Sequence, residues 1–94
     1  MYRARGAVFE DVPVRLAALR GASDAGDAAT LERTAHALKG SCGNLGARKM
    51  AETAGLLEEA GRGGDLSAAP GLLDRLDVEF SQTRAEILAL LLKG

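Results

Sequence analysis

Two side chains in this sequence suit nucleophilic chemistry near neutral pH, the single histidine and the single cysteine. His36 lies in the run Leu31-Glu32-Arg33-Thr34-Ala35-His36-Ala37-Leu38-Lys39-Gly40. On a helix, the residues three, four and seven positions away share its face: Ala29, Glu32, Arg33, Lys39, Gly40 and Gly43. An unprotonated imidazole nitrogen can attack phosphorus, and the phosphoramidate it forms is reactive enough to hand the group on. An acceptor must approach such a group in line. Gly40, one turn from His36, removes the side chain that would stand in the way, and Lys39 offers an ammonium to phosphoryl oxygens. Blander readings of the same residues stay open at this level. His36 and Lys39 are also what a solvated helix face contains, and Gly40 also serves close helix packing. Glu32, one turn from His36, is an ordinary helix-surface neighbour, and no carboxylate is evidently placed to complete a histidine–carboxylate–nucleophile system. Cys42 falls on an apolar stripe, which favours a packing role over redox or nucleophilic work. One cysteine and one histidine do not furnish a structural zinc site, so no metal site is expected.

The element that must position His36 is the most regular of the chain. Ala28, Leu31, Ala35, Leu38, Cys42 and Leu45 step by three or four residues and form one apolar stripe. At roughly 100° per residue, His36 stands about 130° from the centre of that stripe, so it is predicted to be exposed. Asp27 is placed to cap this helix. Gly40, Gly43 and Gly46 weaken its last turns by up to roughly 1 kcal/mol each relative to alanine, which asks for a reason other than helix propensity. Turn signals divide the rest. The first helix is expected over about 8–22, closed by Gly21, Gly26 and Asp27, with Phe9, Val12, Leu16 and Leu19 inward. Pro13 implies a start near Val12 or a kink there. The third is expected over 47–62 with Met50, Ala54, Leu57 and Ala60 inward, ending at Gly61, Gly63, Gly64 and Asp65. The fourth is expected over 67–93, with Ala69, Leu73, Leu76, Phe80, Thr83, Ile87 and Leu90 as its stripe and Pro70 in its first turn. With the second at about 28–44, the reading is a single all-α domain over residues 1–94, an antiparallel four-helix bundle in up-down-up-down order.

Bulk properties narrow the function classes. A hydrophobic share of 47% and a charged share of 27% lie in the globular range, and two phenylalanines and one tyrosine as the only aromatics favour helix over sheet. A formal net charge of −1 leaves no basic excess for a nucleic-acid backbone. The apolar run Ile87–Leu92 is too short to span a bilayer, no signal-peptide pattern opens the chain, and the lone cysteine fits a cytoplasmic setting. The start at Met1, close to the first helix, fits an excised domain.

The run His36-Ala37-Leu38-Lys39-Gly40-Ser41-Cys42-Gly43-Asn44-Leu45-Gly46-Ala47 resembles the signature of histidine-containing phosphotransfer (HPt) domains, roughly His-x-Leu-Lys-Gly-Ser-Ser/Ala-x-x-Leu-Gly-Ala. It departs at Cys42, where serine or alanine is usual. The likeness extends from about Phe9 to Leu92, and Leu56–Asp65 is similar to the family's third-helix end and following turn. The resemblance implies a phosphorelay module. A receiver-domain aspartate would pass a phosphoryl group to the distal ring nitrogen of His36, and His36 would pass it to another receiver aspartate. Lys39 would neutralise the phosphoryl charge and Gly40 would leave room for it. Glu58 and Arg62 occupy the places of a polar residue and an arginine that border the histidine in some members. Ala29, Arg33, Gly43 and Ala47 would lie near the docked partner. It further implies no kinase or phosphatase activity, no cofactor on this chain, magnesium on the partner receiver, and response-regulator receivers or a hybrid sensor histidine kinase as partners. The alternatives are the phosphoacceptor domain of a chemotaxis-type kinase and a helical interaction domain in which His36 is incidental.

Overall fold

A computed structural model describes residues 4–45 and 47–93, with side chains over 11–44 and 47–92. It contains four helices, α1 (Ala4–Ala25), α2 (Ala28–Leu45), α3 (Arg48–Gly63) and α4 (Ala69–Lys93), and no strand among the described residues. They pack as a ring: α1 on α2, α2 on α3, α3 on α4 and α4 back on α1, with no diagonal contact among the described residues. The molecule is thus a four-helix bundle, and connections this short favour successive helices that reverse direction.

The core is what the stripes predict. Val12, Leu16, Leu19, Leu31, Ala35, Leu38, Cys42, Met50, Ala54, Leu57, Ala69, Leu73 and Leu76 are all buried. Each fully enclosed leucine contributes about 1.5–3 kcal/mol. Phe9 and Leu45, also expected inward, lie outside the residues whose side chains are described. Ala28, Ala60, Phe80, Thr83 and Ile87 are only partly buried, and Leu90 is exposed. The stripe of α4 fades because α4 has 25 residues and α3 has 16. The nine extra residues span roughly 14 Å.

Several boundaries move. α1 extends from Ala4 to Ala25 rather than 8–22, running through both Pro13 and Gly21. One exposed glycine costs a helix only about 1 kcal/mol, and the buried Leu19 and Ala22 on either side hold the turn in place. The helix stops instead at Gly26, which has φ +70°, with Asp27 N–H donating to Ala22 O. Asp27 caps α2 as expected, its Oδ1 accepting from Thr30 N at 3.1 Å. α3 ends at Gly64, whose left-handed φ of 81° lets its N–H reach the carbonyls of Ala60 and Gly61. α4 starts at Ala69 rather than 67, after a turn in which Asp65 accepts from Ser67 N, and Pro70 sits in its first turn.

Candidate functional site

His36 stands on α2 with its side chain 70% exposed, as its angle from the apolar stripe predicts. Ala29, Arg33, Gly40 and Gly43 are exposed along the same helix. A Cβ built at Gly40 or Gly43 would meet nothing within 4 Å, so the space beside the ring is open. These glycines do not serve a helix contact, which removes the packing alternative for Gly40 within this chain.

The third helix supplies what the helical neighbours of His36 could not show. Glu58 has a side chain only 8% exposed, and it lies beneath the imidazole. Its Oε2 is 2.9 Å from His36 Nδ1. Oε1 is 2.8 Å from Lys39 Nζ. Arg62, one turn on, places Nη2 3.0 Å from Glu58 Oε2 and Nε 3.2 Å from Glu32 Oε2. Helix spacing alone put no carboxylate in place for the histidine, whereas the family resemblance put Glu58 beside it, and Glu58 is the one that serves. Glu58 does so from 22 positions away in sequence, a relation that spacing along one helix cannot reveal.

Gly61 makes this arrangement possible. A Cβ at Gly61 would come within 2.7 Å of Glu32 N, 2.8 Å of Ala28 O and 2.9 Å of Glu32 Cα. The two helix backbones thus touch there, and that contact brings Glu58 and Arg62 within reach of α2. At Gly55 a Cβ would lie 3.6 Å from Lys39 Cδ, so the lysine stem crosses α3 over this glycine on its way to Glu58. In sequence, Gly61 reads as turn punctuation together with Gly63 and Gly64. In the structure it is an interior position of α3.

The electrostatics follow from the contacts. The Lys39 ammonium, and after it the His36 ring, hold the Glu58 carboxyl below the ordinary carboxylate range, against burial, which pushes it upward. An ionised carboxylate can only accept hydrogen bonds, so the proton between it and the ring belongs to Nδ1. In the neutral ring Nε2 then carries the lone pair, on the side of the ring away from Glu58. This is the tautomer a nucleophilic imidazole needs.

Ala47, expected near a docked partner, is instead 7% exposed and part of the core. It precedes α3, its N–H donates to Cys42 O, and its methyl turns inward. Cys42 is 1% exposed, and burial, reinforced by the charge of Glu79, pushes its thiol up to about 11. It is a neutral core side chain, as its place on the stripe implies. No group of three or more His, Cys, Asp or Glu side chains that could hold a metal occurs among the described residues.

Comparison with known proteins agrees with this geometry. The family model of the Hpt domain matches residues 3–86. The structure is similar to the crystal structure of histidine-containing phosphotransfer protein B (HptB) from Pseudomonas aeruginosa PAO1, with a TM-score of 0.90 and 34% identity over 97% of this chain and 79% of that one. No curated protein matches the sequence. Among the described residues, no helix is long and apolar enough to cross a membrane. Members of this family work with receiver domains as phosphotransfer intermediates, and the chain belongs to it: it is an Hpt domain, a histidine phosphotransfer module of phosphorelay signalling.

Proposed function

We propose that His36 is the phosphoacceptor, taking a phosphoryl group on Nε2 from the aspartate of one receiver domain and giving it to the aspartate of another. The observation that carries this reading is the 2.9 Å contact between His36 Nδ1 and Glu58 Oε2, which leaves Nε2 as the free nucleophile on an open face. Lys39 Nζ, held on the same Glu58 that bonds the ring, is the cation available to the transferred group, and Gly40 leaves the in-line path clear. Receivers dock over the face of Ala29, Arg33, Gly40 and Gly43, whose mostly small side chains suit transient association. The chain has no kinase or phosphatase activity of its own, the magnesium needed for transfer sits on the receiver, and the module works in the cytoplasm.

The test is incubation with a panel of phosphorylated receiver domains, wild type against His36→Gln. Acid-labile, base-stable phosphate should appear on the wild type and be absent from the variant, with the fold of both intact. Label on His36→Gln would place the acceptor elsewhere. Labelling only by an ATP-bound histidine kinase domain, and by no receiver, would move the reading to the phosphoacceptor domain of a chemotaxis-type kinase. No label from either source would leave a helical interaction domain.

A further inference from the structure

Glu58 has more partners than one carboxylate needs to stay ionised. Lys39 holds Oε1 at 2.8 Å, and His36 and Arg62 share Oε2 at 2.9 and 3.0 Å. Arg62 is the more exposed of the two cations, with a side chain 60% exposed against 44% for Lys39, and it also reaches Glu32 on the neighbouring helix. The charged groups facing the ring are Glu32, Arg33 and Lys39 from α2 and Glu58 and Arg62 from α3. Within the ion-pair cluster, two carboxylates balance two cations before any phosphoryl group arrives.

Phosphorylation upsets that balance. A phosphoryl group on Nε2 adds a charge of about −1.5 to −2, on the side of the ring away from Glu58. In the transfer the lone pair of Nε2 forms the new N–P bond, the donor's bond to phosphorus breaks, and the proton already on Nδ1 stays there. The ring is then cationic, and its proton depends on the carboxylate beneath it. Lys39, three residues from His36 on the same helix, is the cation the phosphoryl oxygens can draw on, and their double charge competes with Glu58 Oε1 for its ammonium. Without Arg62, Glu58 would then keep only the ring's own Nδ1–H as a charged partner, and losing a cation is costly for a nearly buried carboxylate.

The geometry points to an exchange of partners: when His36 is phosphorylated, Lys39 leaves Glu58 for the phosphoryl group, and Arg62 stays as the retained counter-ion that keeps Glu58 ionised and bonded to Nδ1. This rests on His36 being the phosphoacceptor. Arg62 is then a positioning residue that acts through Glu58. Lys39 moves because a second cation is already in place. With Lys39 gone, Glu58 has fewer competing donors and holds the Nδ1 proton more firmly. That keeps phospho-His36 in its protonated form, in which the ring leaves phosphorus most readily.

The exchange can be read directly with phosphoramidate as donor, whose P–N bond breaks with loss of ammonia as the His36–phosphorus bond forms. The ¹⁵N resonance of the Lys39 ammonium is followed before and after phosphorylation in wild type, Arg62→Gln and Arg62→Lys. Because Arg62 is exposed, all three chains should fold, which backbone amide spectra check. In wild type the Lys39 signal should shift on phosphorylation. In Arg62→Gln the shift should largely vanish, because Lys39 cannot abandon Glu58, and uptake should slow roughly five-fold, the factor for one exposed ion pair. Arg62→Lys, which keeps the charge, should restore most of the shift. A merely structural Arg62 would leave the Lys39 response unchanged. Phosphorylation with equal Lys39 shifts in wild type and Arg62→Gln, or with none in wild type, overturns the exchange alone. No uptake on His36 at all overturns the site reading and the exchange with it.

Discussion

Two nearly buried glutamates lie at the two interfaces of α3, and they differ in what their partners can do. Glu58 faces α2 and Glu79 of α4 faces α3, with side chains 8% and 10% exposed. Each lies one turn from an arginine on its own helix, Arg62 at 3.0 Å and Arg75 at 3.2 Å. Each also ties two helices together. The second oxygen of Glu79 accepts at 2.7 Å from the hydroxyl of Thr53, which is fully buried. Nothing in that pair reaches solvent except the arginine. Glu58 is instead held by Lys39 and His36, whose tips stand in water. A carboxylate tied to a fully buried hydroxyl fastens the fold, because that partner cannot leave for a charge at the surface. One whose partners reach outward can change them when a charge arrives.

The sharpest way to break the Glu58 side is Gly61→Ala. The added methyl would meet the α2 backbone at 2.7–2.9 Å, where no side-chain rotation gives relief. The helices must separate, at a cost of about 3 kcal/mol, the upper range of ordinary overpacking. That corresponds to a melting temperature lower by roughly 12–24 °C for a domain of this size. Separation also draws Glu58 away from His36, so stability and phosphoryl uptake should fall together. A variant as stable as wild type would mean that the two backbones are not in contact there.

The matching break on the other side is Thr53→Val, which keeps shape and removes the donor to Glu79 Oε1. Stability should drop by about 1–2 kcal/mol in a denaturant titration, with phosphoryl uptake unchanged. Loss of uptake would show that the α3–α4 contact reaches the site and that the two carboxylates are not independent.

Acid tests the Glu58 side further. Lys39 and His36 hold the Glu58 carboxyl below its ordinary value of 4.5. A group whose folded value is depressed contributes stability that is present above the unfolded value and lost as pH falls through the folded one. Glu58→Gln should therefore be less stable than wild type at neutral pH, and the difference should shrink below pH 4.5. A gap that stays constant down through the acid range would mean that the ion pairs do not set the charge of Glu58.

Local periodicity made much of this legible. The stripe of α2, the outward direction of His36, the Asp27 cap and the open space at Gly40 all depend on residues within a few turns of one another. Glu58 and Arg62 came from resemblance alone, because their relation to His36 runs between helices. Gly61 was misread because a glycine inside a helix contact and a glycine at a turn have the same sequence neighbours, Gly63 and Gly64. Ala47 misled for a related reason: its place in the motif does not fix which way its methyl turns. The last turns of α4 keep their apolar spacing beyond the reach of α3, so pattern alone overstated the core there.

The smallest expected effect compares the glycines themselves. Gly40 and Gly61 each sit inside a helix at a position where alanine would be the better helix former, by up to roughly 1 kcal/mol. At Gly61 that gain is overwhelmed by the backbone contact. At Gly40 nothing lies within 4 Å of an added Cβ, so Gly40→Ala should raise stability by up to about 1 kcal/mol. Gly40→Gln should gain slightly less, since glutamine has lower helix propensity than alanine, while its longer side chain crowds the approach to Nε2. Transfer from a phosphorylated receiver should then slow progressively from wild type to alanine to glutamine, although both variants are the more stable proteins. Small phosphoramidate needs less room than a docked receiver, so its transfer to His36 should slow less. If Gly40→Gln accepted phosphoryl from a receiver at the wild-type rate, the open space would have no part in the approach. Gly40 would then be a helix defect without a steric role at His36.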